Sequence, residues 1–184
     1  MTVAAGELAI RTAAEADVPA IAALLERSVR GLSTGYYTAE QIERALRDMF
    51  GVDTQLIADR SYYVIDAVDG LAAAGGWSGR RTLYGGDQAK GASDPRLDPQ
   101  REPARIRAFF VDPAWARRGL ARRLFERCRA EAEAAGFHEL ELVATLPGQP
   151  LYLALGFTAR EHFTLPLSGG LTLDGVRMTR PVEP

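Results

Sequence analysis

The sequence predicts an α+β (mixed α/β) fold in which a central mixed, mostly antiparallel sheet is flanked by helices. A strand, a long amphipathic helix and a second strand follow one another over residues 105–144, and two strands joined by such a crossover are parallel. Two β-rich runs, 61–68 and 71–77, meet at an Asp-Gly turn, which is a strong hairpin signal. The chain then closes with a second hairpin around residues 168–170.

The first 50 residues predict one strand and two helices. Strand 8–11 is followed by a helix with Asp17 as its N-cap and Pro19 in its first turn. The buried face of this helix is predicted from four apolar residues at helical spacing: Ile21, Leu24, Leu25 and Val29. A second helix is expected to begin at Thr38, where Thr38 and Gln41 form a capping-box pattern.

Residues 79–103 predict a long loop without a core of its own, because they are rich in Gly, Pro and Asp and lack periodicity. Within it, Tyr84 and the Gly85-Gly86 turn are weak candidates for substrate contact. The aromatic pair Tyr36-Tyr37, between the first two helices, is predicted to be exposed. Packing of that pair on the core is an equally good interpretation.

Strand 105–111 is predicted to be central, because apolar residues lie on both of its faces. Strict alternation assigns Ile106, Ala108 and Phe110 to one face and the residues between them to the other. The helix that follows is expected from about Ala116 to Ala135. Its buried stripe is predicted from four residues at helical spacing: Leu120, Leu124, Cys128 and Ala132.

The composition is that of an ordinary soluble protein, with 184 residues, 47% hydrophobic and 25% charged, and one domain over 1–184 is expected. A net charge of -2 argues against general binding to nucleic acid or to membranes. The single cysteine, Cys128, excludes an internal disulfide. No apolar run is long enough for a membrane span or a signal peptide, so a cytoplasmic location is expected.

The start of the long helix predicts an anion site. Gly119 and Ala121 are small residues at the strand-to-helix junction, where unpaired backbone N–H groups are exposed. Four cations crowd the same turn: Arg117, Arg118, Arg122 and Arg123. Because a helix N-terminus is already positive, this cluster favours a bound polyanion.

The stretch Val-Asp-Pro, a short loop and Arg-Arg-Gly-Leu-Ala-Arg-Arg-Leu resembles the acyl-CoA signature of the GCN5-related N-acetyltransferase (GNAT) superfamily, Arg/Gln-x-x-Gly-x-Gly/Ala. The first signature position falls on Ala116, which departs from the pattern. Tyr152 and the Gly156-Phe157 pair resemble the family's Tyr-x-x-x-Gly-Phe helix. The resemblance implies acetyl-CoA as co-substrate, without a metal, held by these residues: Phe109, Phe110, Val111, Ala116, Arg117, Arg118, Gly119, Leu120, Ala121 and Arg122.

The resemblance further implies transfer of an acetyl group to a primary amine by direct attack in a ternary complex. Tyr152 is the expected catalytic acid for the departing thiolate, because a phenol is neutral at physiological pH. The base is not identified, with Glu139, Glu141, His162 and water left open. Cys128 lies on the apolar stripe of its helix, so a covalent acetyl-cysteine route is disfavoured.

Two other functions are compatible with the sequence. A catalytically inactive acyl-CoA-binding module would share the loop, and the departure at Ala116 favours it. A nucleic-acid-binding helix is disfavoured, because three acidic residues interrupt the basic run: Glu126, Glu131 and Glu133. The expected partner is a small-molecule or protein amine, with no nucleic acid and no membrane. A bacterial-type protein is expected, and a homodimer is left open.

Overall fold

The computed structural model describes residues 8–91 and 93–183. The strands within these residues are β1 (Ile10–Thr12), β2 (Tyr62–Ala67), β3 (Gly70–Ser78), β4 (Ala104–Val111), β5 (Glu139–Thr145), β6 (Thr158–Pro166) and β7 (Thr172–Pro181). The α-helices are α1 (Val18–Leu32), α2 (Ala39–Asp48), α3 (Thr54–Ala58), α4 (Leu120–Ala134) and α5 (Gln149–Ala154).

All of these strands form a single sheet in the order β1-β2-β3-β4-β5-β7-β6. Within the described residues β4 and β5 form its one parallel pair, and every other neighbouring pair is antiparallel. The predicted α+β fold with a parallel βαβ unit is therefore confirmed. Both predicted hairpins, β2–β3 and β6–β7, are also confirmed.

Helices cover both faces of the sheet. On one face α4 and α5 bury a continuous core that includes the predicted stripe of α4, and Phe125, Leu124 and Cys128 are fully buried there. On the other face α1 and α3 pack over β2 and β3, while α1 and α2 pack on β7. Across residues 8–91 and 93–183, no helix is both long enough and apolar enough to cross a bilayer.

The helix starts follow local capping chemistry, although only one of them follows the predicted pattern. The Thr38 hydroxyl accepts the Gln41 N–H at 3.2 Å and the Gln41 amide accepts the Thr38 N–H at 2.9 Å, so the capping box is confirmed. Asp17 occupies the N-cap position of α1, but its carboxylate does not cap that helix. It accepts instead from the Ala14 N–H and the Arg11 guanidinium, which fixes a 3-10 turn one step earlier.

The strict alternation predicted for β4 is wrong, because the strand carries a β-bulge. The register against β3 shifts between Ala74 and Gly76, and Ala108 has a φ of 55°. Ile106 consequently packs on the α4 face together with Phe109 and Val111. Ala108 and Phe110 pack on the opposite face. A bulge places two successive residues against one partner and redirects every side chain beyond it.

Candidate active site

The parallel strands β4 and β5 diverge at their carboxyl ends and leave a cavity of about 800 Å³. They pair only at Ala104–Leu140 and Arg105–Glu141 within the described residues. Beyond Arg105, the edge of β4 that faces β5 has backbone groups without a β5 partner, and such groups need a ligand or water. The Val111 N–H donates to the Ser28 hydroxyl at 3.1 Å, so this amide has a side-chain partner.

Helix α4 begins at Leu120, four residues later than the predicted start at Ala116. Its first backbone bond runs from the Arg123 N–H to the Gly119 carbonyl at 3.1 Å. The N–H groups of Leu120, Ala121 and Arg122 therefore have no intrahelical acceptor, and they lie on the cavity wall. Gly119 precedes them with a φ of 81°, a left-handed conformation that glycine adopts without steric cost.

The late start of α4 has a local cause in the preceding loop. The Asp112 carboxylate accepts the Ala114 N–H at 2.9 Å and caps a 3-10 turn over Pro113–Trp115. Ala116 is then extended, and Arg117 has a φ of 63°, so neither residue continues a helix. A side chain held in the left-handed region is strained, and such residues often occur at ligand sites.

Two of the four clustered arginines line the cavity, Arg117 and Arg122. Arg118 does not line it, because its guanidinium lies 5.0 Å over the ring of Trp115. Arg123 donates to the Leu8 carbonyl at 2.6 Å. All the other residues predicted to bind the cofactor line this one cavity: Phe109, Phe110, Val111, Ala116, Gly119, Leu120 and Ala121.

Tyr152 also lines the cavity, from α5. Its ring packs edge-on against Phe109 at 6.3 Å and Phe157 at 5.7 Å between centroids, which fixes its position. Burial raises the pKa of the Tyr152 phenol above its ordinary value near 10, so the group stays protonated at physiological pH. Within the described part of the chain, no hydrogen bond occupies this hydroxyl.

The Tyr-x-x-x-Gly-Phe spacing has a structural reason that is independent of chemistry. The Phe157 N–H donates to the Tyr152 carbonyl at 2.9 Å, and the Gly156 N–H donates to the Leu153 carbonyl at 3.0 Å. With Gly156 at a φ of 86°, this is a Schellman stop whose hydrophobic contact is the Tyr152–Phe157 pair. Helix α4 ends in the same way at Gly136-Phe137, as the sequence predicts.

None of the described residues that line the cavity is Asp, Glu or His. Glu141, an open candidate for the base, is buried in ion pairs with Arg105 and Arg177. Cys128 is fully buried, and burial raises the pKa of its thiol, which keeps the thiol unreactive. Residues 8–91 and 93–183 contain no group of three or more Asp, Glu, His or Cys side chains placed to hold a metal ion.

The two tyrosines between α1 and α2 have different environments. Tyr36 lines the cavity and is 52% exposed. The prediction that Tyr37 is exposed is wrong, since its hydroxyl donates to the Asp174 carbonyl at 2.6 Å and accepts the Leu146 N–H at 2.8 Å. Tyr37 thus ties the loop after α1 to the ends of β5 and β7. Tyr84 and the Gly85-Gly86 turn lie on the cavity wall.

A buried ion cluster beneath residues 79–103 was not found by sequence reasoning. Arg107, with 3% of its side chain exposed, donates to the Asp53 carboxylate at 2.9 Å. It also donates to the carbonyls of Thr82 at 2.7 Å and Gly85 at 2.6 Å. Lys90 forms a second ion pair with Asp53. We call Arg107, Asp53 and Lys90 the loop anchor, because it fixes the segment that forms one cavity wall.

The sequence holds one signal for the loop anchor, which is Arg107 in the middle of β4, a strand with apolar residues on both faces. A buried charge needs a partner, which the sequence cannot locate 54 residues away. Asp53 also caps α3 through the N–H groups of Gln55 and Leu56. The Asp53 carboxylate thus caps α3 and also forms ion pairs with Arg107 and Lys90.

Comparison with protein families finds one match, in the part of the chain that holds the start of α4 and Tyr152. Residues 86–164, which include β4, α4, β5 and α5, match the family model of an acetyltransferase (GNAT) domain. This part of the chain is therefore similar to a GNAT acetyltransferase domain. The matched range contains the cavity residues at the start of α4 and Tyr152, whereas the lining residues from α1, from the end of α2 and at 83–85 lie outside it. No curated protein matches the sequence at a significant level.

Solved structures share the fold of this chain over nearly its whole length. A GCN5-related N-acetyltransferase from Rhodopseudomonas palustris is 19% identical with a TM-score of 0.69, covering 98% of this chain and 99% of that one. PaiA N-acetyltransferase from Thermoplasma acidophilum, solved with coenzyme A, is 12% identical with a TM-score of 0.65, covering 95% and 99%.

A third similar structure is a phosphinothricin acetyltransferase from Sinorhizobium meliloti, solved with AcCoA. It is 22% identical with a TM-score of 0.61, and the match covers 95% of this chain and 88% of that one. At these identities the likeness concerns the fold.

Proposed function

We propose that this protein is an N-acetyltransferase that moves the acetyl group of acetyl-CoA to a primary amine. The observation that carries the proposal is one cavity that joins the free N–H groups at the start of α4, the unpaired edge of β4 and the Tyr152 ring. These parts serve the pyrophosphate, the pantetheine and carbonyl, and the sulfur of a thioester cofactor. The CoA and AcCoA bound to two proteins of the same fold support this choice.

In the proposed reaction the neutral amine attacks the thioester carbonyl, forming a C–N bond. Collapse of the tetrahedral intermediate breaks the C–S bond and releases the CoA thiolate. The ammonium loses one proton to water, and the thiolate gains one at sulfur from the Tyr152 hydroxyl, which is reprotonated from solvent. Because its pKa is raised, the phenol keeps its proton until the thiolate develops, and it then donates first a hydrogen bond and afterwards the proton to sulfur.

Water is the proposed acceptor of the amine proton, since the described cavity lining holds no Asp, Glu or His. We expect kcat/KM to rise with pH through the pKa of the acceptor amine itself. No descending limb is expected below about pH 10, because the Tyr152 pKa is raised and the phenol keeps its proton. Profiles for two amines of clearly different basicity test this. An inflection that stays fixed for both would reveal an enzyme base.

The cofactor site is tested at Gly119. Gly119→Glu places a carboxylate beside the N–H groups that we assign to the pyrophosphate, so calorimetry should show loss of CoA binding. Gly119→Ala is the matched control, because it carries the same left-handed strain of about 1 kcal/mol without a charge. A Cβ at position 119 would meet no atom within 4 Å, so both variants should fold. Normal CoA affinity in Gly119→Glu would refute the site.

The alternative of a catalytically inactive acyl-CoA-binding module keeps one supporting observation, the methyl of Ala116 on the cavity wall. That module would bind CoA and release no thiol with any amine. A basic nucleic-acid surface has less support, because arginines of α4 pair with acidic residues of the same helix, Arg127 with Glu131 and Arg129 with Glu126 and Glu133. We therefore propose that Arg117 and Arg122, the two clustered arginines that line the cavity, bind CoA.

A further inference from the structure

The cavity wall opposite α4 is mostly apolar and aromatic, with Ser28 and Ser33 as its serines. We call it the acceptor side, because the cofactor is assigned to the α4 and α5 side. It is formed by α1, the end of α2 and the loop held by the loop anchor, and its main side chains are Leu32, Tyr36, Met49, Phe50, Leu83 and Tyr84. Phe50 packs edge-on against Phe110 at 6.4 Å, and Tyr84 against Phe163 at 5.6 Å. These rings give the wall a defined shape.

The charge on the cavity wall has one sign. Its charged residues in the described chain are Arg107, Arg117 and Arg122, and none is a carboxylate. Arg107 contacts the loop of the acceptor side, and its guanidinium is committed to Asp53 and to two carbonyls of that loop. A second ammonium group on the acceptor would therefore be desolvated in the cavity without a carboxylate to pair with. It would also be repelled by the arginines, which carry charge of the same sign.

We propose that the acceptor is a monoamine carried on an uncharged aromatic or apolar body, and that polyamines and other polycations are poor substrates. The proposal rests on the acetyl transfer proposed above and names its substrate class. The amino group reaches the thioester as a neutral nucleophile, so it needs no carboxylate partner at the moment of attack. The body of the acceptor binds by burying apolar surface against the aromatic wall.

Matched amines separate the effects of charge and of aromatic character. Hexylamine and the hexane diamine with an amino group at each end differ only in the second cation. We expect kcat/KM, measured by CoA thiol release, to be higher for hexylamine by at least about tenfold, and phenylethylamine to equal or exceed hexylamine. A diamine that is acetylated better than hexylamine would overturn the proposed class while leaving acetyl transfer intact.

Three variants assign the preference to the acceptor side. Tyr36→Glu adds a carboxylate at a position that is 52% exposed, and it should raise kcat/KM for the diamine and lower it for phenylethylamine. Phe50→Ala should raise KM for phenylethylamine several-fold with little change in CoA affinity. Val68→Ala is the control, because Val68 is 86% exposed and lies outside the cavity, and it should change neither value. Preferences unchanged in both cavity variants would contradict the proposal.

Calorimetry on the CoA-loaded protein separates failure of this inference from failure of the proposed function. Acetyl-CoA binding without thiol release from any amine would contradict the proposed enzyme. In that case phenylethylamine binding that is weakened by Phe50→Ala would still support the acceptor side. Absence of phenylethylamine binding, or tighter binding of the diamine, would refute it.

Discussion

Replacing Tyr152 by phenylalanine should lower kcat by about a hundredfold to ten-thousandfold, the range for loss of a general acid. The substitution removes only the hydroxyl and keeps the ring that packs against Phe109 and Phe157. CoA affinity and thermal stability should therefore barely change. The measurement is steady-state kinetics with an identified amine, together with calorimetric titration of CoA.

The kinetic pattern of this variant distinguishes the roles open to Tyr152. Under the proposed mechanism kcat falls, while the KM for the amine stays near the parent value. A loss of less than about threefold in kcat would mean that water or another group protonates the thiolate, and Tyr152 would then be a packing residue. A collapse of CoA affinity would show instead that the hydroxyl holds the cofactor.

Removal of the carboxylate of the loop anchor should be the most destabilising single change outside the hydrophobic core. Asp53→Ala leaves Arg107 buried without an anion, leaves Lys90 with the Asp87 carboxylate at 3.8 Å, and removes the cap of α3. Breaking such a buried pair from one side costs about 3–5 kcal/mol, because the remaining charge is not solvated. Urea unfolding of the variant should show this loss in the free energy of unfolding.

Two companion variants assign the loss to the buried charges. Asp53→Asn retains an oxygen that can accept the N–H groups at the start of α3 but lacks the negative charge, so most of the destabilisation should remain. Glu26→Ala removes an exposed carboxylate that pairs with Arg30, and its free energy of unfolding should stay close to that of the parent. If Asp53→Ala unfolds like the parent, the loop anchor does not stabilise the fold.

The sequence predicts those parts of the fold whose causes are local in the chain. The Asp-Gly hairpin, the Thr38 capping box and the Gly136 helix stop each depend on a few neighbouring residues, and all are confirmed. The start of α4 depends on a competition between a helix and the turn capped by Asp112. Propensity alone did not decide that competition, so the predicted start was four residues early.

Features that depend on distant partners were not predictable in the same way. The bulge at Ala108 arises between β3 and β4, and a strand pattern read alone shows only an alternation of residues. The buried hydroxyl of Tyr37 forms hydrogen bonds with the backbone of Asp174 and Leu146, which lie more than a hundred positions away in the chain. The side of the cavity to which we assign the cofactor is lined by two stretches that carry recognisable signatures, 106–122 and 143–154, whereas the acceptor side combines three segments without such a signature.

The Schellman stop of α5 shows that the Tyr-x-x-x-Gly-Phe spacing has a folding role that does not require the Tyr152 hydroxyl. Gly156 and the apolar contact between positions 152 and 157 end the helix, and phenylalanine at 152 would satisfy that contact equally well. Selection for folding alone can therefore maintain most of this signature in a lineage that has lost its chemistry. Among proteins with this helix, one phenolic oxygen would then mark the boundary between a working transferase and a chain that only carries its cofactor.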